Sequence, residues 1–161
     1  MIAVAKARAA PYLEPMSETS DKWPEDIQDM IDDFTFLDDW EERYSHVIDM
    51  GKSLAPLEDS ERNIATKVKG CVSQVWLVSE HGDGPDPILS FRGDSDAHIV
   101  KGLVAVALQI FSGRPASLIQ TLNAEAILKQ LSLEEHLSPQ RSNGLKAMIA
   151  RIKAEAKAAL A

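Results

Sequence analysis

The apolar positions of this chain change their period twice. Ile27, Met30, Ile31 and Phe34 recur at helical spacing behind Trp23-Pro24, and a proline there suits the first turn of a helix. Asp38-Asp39-Trp40-Glu41 has the pattern of a capping box, an acid followed three residues on by Glu. The helix it opens carries Trp40, Tyr44, Val47 and Ile48 on one stripe and stops near Gly51. After a loop over 52–62 the period shortens. Residues 64–69 read as a short strand leading into Gly70-Cys71, and residues 74–79 are rich in strand formers. His81-Gly82-Asp83-Gly84-Pro85 is a turn cluster, and residues 87–92 form the return strand of a hairpin.

The helical period then resumes. Gly93-Asp94-Ser95-Asp96 precedes a helix that runs to about Ser112, with Asp94 or Ser95 as its expected cap. Ile99, Leu103, Val106 and Ile110 mark one face of it. Its apolar surface is wider than one stripe, and Gly102, Ala105 and Ala107 permit close approach, so it belongs at the centre, against the sheet. Gly113 ends it. A short helix follows Pro115, and a second, capped by Asn123 or Thr121, extends to about Leu131. Ser138-Pro139 caps a last helix with Leu145, Met148, Ile149, Ile152 and Ala156 as its buried stripe. The expected fold is α+β: a small antiparallel sheet of about three strands flanked by helices.

Length and composition narrow the function classes. A chain of 161 residues with 45% hydrophobic content suits one domain, placed here over residues 23–161. Residues 1–22 read as a disordered extension, with Met16 as an alternative start. A net charge of −8 argues against a nucleic-acid binder. Apolar runs fall short of the ~20 residues that cross a bilayer, so no membrane association is expected. The extension lacks the apolar centre of a secretory signal, and the protein is expected in the cytoplasm. Residues 18–42 hold eleven acids and one base, Lys22. A solvated face is the expected reading, with an acidic docking surface for a basic partner as the alternative.

The chemistry concentrates on one residue. Cys71 is the only cysteine, so it forms no internal disulfide and cannot supply the several thiolates of a zinc or iron–sulfur site. It is a core filler, a nucleophile, a redox sensor or a sulfur carrier. Gly70 permits a sharp turn into it, and Lys67 and Lys69 either favour its thiolate or, by strand alternation, point away from it. A cysteine hydrolase would need His98 or His136 beside the sulfur with a third orienting group. A redox sensor would lack a resolving cysteine.

Four stretches carry a family resemblance: Asp39-Trp40-Glu41-Glu42-Arg43-Tyr44 with Gly51; Gly70-Cys71-Val72-Ser73-Gln74-Val75-Trp76; Gly93-Asp94-Ser95-Asp96-Ala97 with Ile99-Val100-Lys101-Gly102-Leu103; and His136-Leu137-Ser138-Pro139-Gln140-Arg141-Ser142-Asn143-Gly144-Leu145. In that order and spacing they resemble the SufE family of sulfur acceptors. Val72 departs from the Gln of familiar members, and Gln140 from a common Ser. The resemblance implies an α+β fold similar to the IscU scaffolds. It implies that Cys71 takes a sulfane sulfur as a persulfide from a SufS-like cysteine desulfurase, activates that enzyme, and passes the sulfur to a SufBCD-like iron–sulfur cluster scaffold. The chain itself would carry no cofactor, because pyridoxal phosphate belongs to the desulfurase. A CsdE-like partnership with a CsdA-type desulfurase fits the same residues. Gly70, Arg141, Asp94 and Asp96 are the supporting or partner-binding candidates, with Arg141 as a fixed positive charge. The protein is expected to be a carrier more than a stand-alone enzyme, as a monomer or homodimer. A carrier must shelter its persulfide and yet present it, so the Cys71 loop is expected to be covered when free and exposed in the complex, with Val72, Val75 and Trp76 as cover.

Overall fold

The computed structural model describes residues 23–161. The expected disordered extension and the alternative start at Met16 lie outside the described residues. Contacts divide the chain into two compact units, the second running from Phe34 to Ala161. Helix α1 (Glu25–Thr35) lies for most of its length in the first, and its apolar positions Ile27, Met30 and Ile31 are buried.

In the second unit, α2 (Trp40–Lys52) opens on Asp39, whose carboxylate accepts from the Glu42 backbone N–H at 2.9 Å. The cap therefore lies one residue later than the sequence pattern predicts. Strands β1 (Val75–His81) and β2 (Ile88–Ser95) form the expected antiparallel hairpin, in register from Val75 opposite Ser95 to His81 opposite Leu89. Helix α3 (His98–Phe111) follows, then β3 (Arg114–Pro115), α4 (Ala116–Thr121), α5 (Ala124–Leu131) and α6 (Pro139–Leu160). Asn123 caps α5 and Ser138 caps α6, each accepting from the backbone N–H three residues on.

Helix α3 is the centre of the core. Of its 14 residues, 11 are buried, because α2, β2 and α6 all pack on it. Two glycines set the distances. A methyl on Gly102 would meet the Val47 carbonyl oxygen at 2.3 Å, so α2 and α3 touch backbone to backbone. A methyl on Gly93 would meet Val104 Cγ1 at 2.6 Å, which brings β2 hard against the same helix.

Two expectations are corrected. Residues 64–69 are not a strand. Asn63 and Thr66 exchange side-chain-to-backbone hydrogen bonds, both at 3.1 Å, and such local bonds compete with a sheet ladder. The stretch meets β1 through a single bridge, Lys67 opposite Trp76, closed by the Val68 N–H on the Val75 carbonyl and the Leu77 N–H on the Thr66 carbonyl, both at 2.8 Å. The third strand is instead β3, paired with Ile88 and Leu89. It brings in the buried Arg114, whose guanidinium donates to the carbonyls of Ile110 and Gln109 at the end of α3. Nor do Asp94 and Ser95 cap α3 directly. Strand β2 continues through Ser95, Ala97 holds the cap position without a side-chain bond, and Ser95 Oγ accepts from the Ala97 N–H at 3.3 Å.

Candidate functional site

The segment bearing Cys71 is suspended between two anchored ends. On the near side, Val68 is buried and donates its N–H to the Val75 carbonyl at 2.8 Å. On the far side, Gln74 is fixed by β2 and the residue after it. Its carbonyl accepts from Ser95 Oγ at 2.7 Å, and Asp96 Oδ1 accepts its N–H at 3.1 Å. Between these ends Gly70 adopts φ +95°, a conformation that side chains rarely adopt, and turns the chain toward α6.

Cys71 meets α6 at Gly144. The thiol Sγ donates to the Gly144 carbonyl at 3.6 Å, and a Cβ at that position would lie 3.6 Å from the sulfur. Cys71 is thus half-buried, with α6 against its sulfur. Val72, expected as apolar cover, is 76% exposed. Beside the sulfur lies a cavity of about 340 Å³. The Cys71 loop forms one wall, Val100 and Leu103 of α3 another, and Ser138, Gln140, Arg141, Gly144 and Met148 the third.

Burial pushes the Cys71 thiol above its usual pKa of 9.0. Of the two placements open to Lys67 and Lys69, the structure shows the one away from the sulfur. Those side chains line a different groove, with Ala147, Ala150 and Arg151. A thiol shifted in this direction is a weaker acid, and its thiolate is harder to form where it sits.

The other candidate residues fall into two sets. Gly70 and Arg141 meet at the Cys71 site: Gly70 makes the turn, and Arg141 lines the cavity from the first turn of α6. Asp94 and Asp96 act further back. Asp94 is buried at the end of β2, where its carboxylate accepts from Arg62 at 3.2 Å and pairs with Lys101 at 3.5 Å. Asp96 holds Gln74, and so anchors the far end of the loop. The histidines of a hydrolase reading lie elsewhere: His98 lines a groove with Ile48 and Lys101, and His136 stacks on Trp40 at 4.7 Å. Gly144 was missed as a site residue. Its signal was a glycine inside a helix, on the same i, i+4 row as Met148, Ile152 and Ala156, where a glycine usually has a packing reason.

Fold and site define a class: an α+β protein with one thiol held at a cavity mouth between a glycine turn and a helix. The comparisons resolve the class further. The SufE family, described as "Fe-S metabolism associated domain", matches residues 28–156. An uncharacterized SufE-like protein of Rhizobium etli is 55% identical over 132 residues, covering 81% of this chain and 89% of that protein. One of Rhizobium meliloti is 53% identical over 135 residues, covering 83% and 96%. The solution structure of a hypothetical protein from Thermus thermophilus superimposes with a TM-score of 0.67 at 18% identity, over 86% of this chain and 98% of that one, and shows the shared fold. The chain belongs to the SufE family, which places it in iron–sulfur metabolism. No helix among the described residues is long and apolar enough to cross a membrane.

Proposed function

We propose that this protein is the sulfur acceptor and activator of a SufS-type cysteine desulfurase, within a SUF-type assembly system of the cytoplasm. Cys71 carries the sulfur as a persulfide to a SufBCD-like scaffold. The observation that carries this reading is the position of the chain's only thiol, at the mouth of a cavity with room for more than one added sulfur atom.

The transfer resembles thiol–disulfide exchange. The Cys71 thiolate attacks the outer sulfur of the desulfurase cysteine persulfide. A new S–S bond forms on Cys71, the donor's S–S bond breaks, and the donor cysteine leaves as a thiolate. No net oxidation occurs, and the Cys71 proton passes to a base at the donor site. Pyridoxal phosphate belongs to the desulfurase, which releases the sulfur from cysteine; this chain supplies the acceptor. The protein works as a carrier, as a monomer or homodimer.

The two anchored ends suit a loop with two positions. In the free protein the thiol is held under α6, protonated. In the complex the segment between Val68 and Gln74 swings out around Gly70, and loss of cover lowers the thiol pKa toward its usual value. Opening so short a segment costs far less than global unfolding, and the partner selects the open state by binding it better. After transfer the loop returns, and the persulfide occupies the cavity near Arg141, whose permanent charge stabilises a persulfide anion.

The test is incubation with the desulfurase and cysteine, followed by intact mass. The expected result is the mass of one added sulfur on Cys71, absent in Cys71→Ala. A Cys71→Ala variant that stimulates the desulfurase as well as wild type would sink the carrier mechanism.

A further inference from the structure

A second groove beside the Cys71 loop shares no lining residue with the cavity at the sulfur. It has a volume of about 510 Å³ and lies between residues 64–69 and the outer face of α6. Its base is apolar: Val68, 3% exposed, with Ala147 and Ala150. Ile64 stands on its rim, 88% exposed. Lys67 and Lys69 both line it, and both are exposed. Residues 63–70 contain these two cations and no acid, in a chain whose net charge is −8.

The wall is built in advance. Arg151 donates to the Ala65 carbonyl at 2.7 Å and to the Lys67 carbonyl at 3.2 Å, and is balanced by Glu155 at 3.1 Å. Its charge is used in tying the 64–68 segment to α6, so the groove keeps its form without an occupant. Among the described residues, no such task falls to the ammonium groups of Lys67 and Lys69.

The groove is also close to the sulfur. Gly70 packs over Ala147, where an added methyl would stand 3.3 Å from the Ala147 Cβ, while Cys71 lies over Gly144. Three residues of helix separate those two contacts, about 4.5 Å along the axis. Whatever fills the groove sits within one helical turn of the reacting thiol.

We propose that this groove docks an acidic segment, bearing one apolar side chain, of the protein that donates sulfur to Cys71. The proposal rests on the sulfur-acceptor reading and adds the recognition surface. The apolar side chain covers Ile64 and the alanine base, and the acids pair with Lys67 and Lys69. Local cations are needed for this, because the chain as a whole repels an acidic partner. A pre-formed groove lowers the ordering cost of binding.

The experiment is calorimetric titration of the full chain with the organism's own cysteine desulfurase. It compares wild type, Lys67→Glu with Lys69→Glu, and a control pair, Lys129→Glu with Lys157→Glu, at exposed positions away from the groove. Each Lys→Glu changes the charge by −2, so both pairs go from −8 to −12. Circular dichroism melts confirm folding; none of the four lysines is buried, so both variants are expected to fold. The groove pair is expected to raise Kd about tenfold at low salt, with the gap closing as salt rises, and the control pair to stay within about twofold. Ile64→Ser is expected to weaken binding about threefold at every salt concentration. Equal effects from the two charge pairs would reduce the result to net charge and overturn the proposal. So would a groove pair that binds as tightly as wild type. If that pair instead abolishes self-association of the chain and leaves desulfurase binding intact, the occupant is a second copy and the proposal is wrong. Sulfur uptake on wild-type Cys71, followed by mass, separates the two levels: uptake with an indifferent groove pair removes the docking surface alone, and no uptake by wild type removes both.

Discussion

Gly144→Ala tests the contact that holds Cys71, and its sign follows from two opposing quantities. Gly144 lies inside α6, past the first turn. Replacing glycine by alanine in a helix interior contributes about 1 kcal/mol, because the alanine backbone loses less freedom on folding. Against this stands the room available. The added methyl would meet Cys71 Sγ at 3.6 Å, Cβ at 3.9 Å and Cα at 4.0 Å, all ordinary van der Waals contact. No overpacking cost arises, and the helix term wins. The variant is expected to be more stable by about 0.5–1 kcal/mol, a rise in Tm of about 1–4 °C for a chain of this size. Alkylation of Cys71 by iodoacetamide should slow, since the methyl adds apolar cover to a half-buried thiol. Gly144→Val carries its γ-carbons one bond further, into the space of the sulfur. It should cost about 1–3 kcal/mol and speed alkylation by pushing the loop out. Equilibrium urea unfolding and timed alkylation read both quantities. A loss of about 1 kcal/mol or more in Gly144→Ala would refute the reasoning, because the loop would then press on α6 harder than these distances allow. Faster alkylation in that variant would refute it equally.

Arg141→Ala removes an exposed side chain from the cavity wall. It should change stability by less than about 0.5 kcal/mol while slowing single-turnover sulfur uptake; unchanged uptake with a lower Tm would make Arg141 a purely structural residue. Gly102→Ser places its Cβ 2.3 Å from the Val47 carbonyl oxygen and should destabilise by about 3 kcal/mol or more, so a urea midpoint near wild type would contradict the close α2–α3 approach. Burial raises the Cys71 pKa in the folded chain above its unfolded value of about 9.0. Its stabilising contribution is therefore complete below that value and is lost as pH rises through the folded pKa. Wild type should lose more stability than Cys71→Ala between about pH 8 and pH 11, a range around the usual thiol pKa, and parallel curves would rule this out.

Much of this fold is written within single turns of chain. Asn123 before α5, Ser138-Pro139 before α6 and the Gly113 stop after α3 each act on backbone groups a few residues away. The hairpin of β1 and β2 is equally local: two strands of β-formers joined by a glycine-rich turn. Helix α3 declared its central place by being apolar on more than one side. For the same reason Cys71 could be singled out from sequence, since its candidacy rested on its being the only thiol and on the residues beside it. What escaped depends on partners far along the chain. Residues 64–69 have strand-like composition, but the Asn63–Thr66 bonds and the tie to Arg151 hold them otherwise. Strand β3 is two residues long and exists only because α3 returns the chain to Ile88 and Leu89. The state of the thiol is the clearest case. Neighbouring lysines could face the sulfur or turn from it, and the sequence alone left that open; the contact that covers the thiol is made with Gly144, 73 residues away, and burial raises its pKa. Caps and turns act through hydrogen bonds that a few residues can close by themselves. Burial, and with it the chemistry of a thiol, is settled only when distant elements are packed against each other.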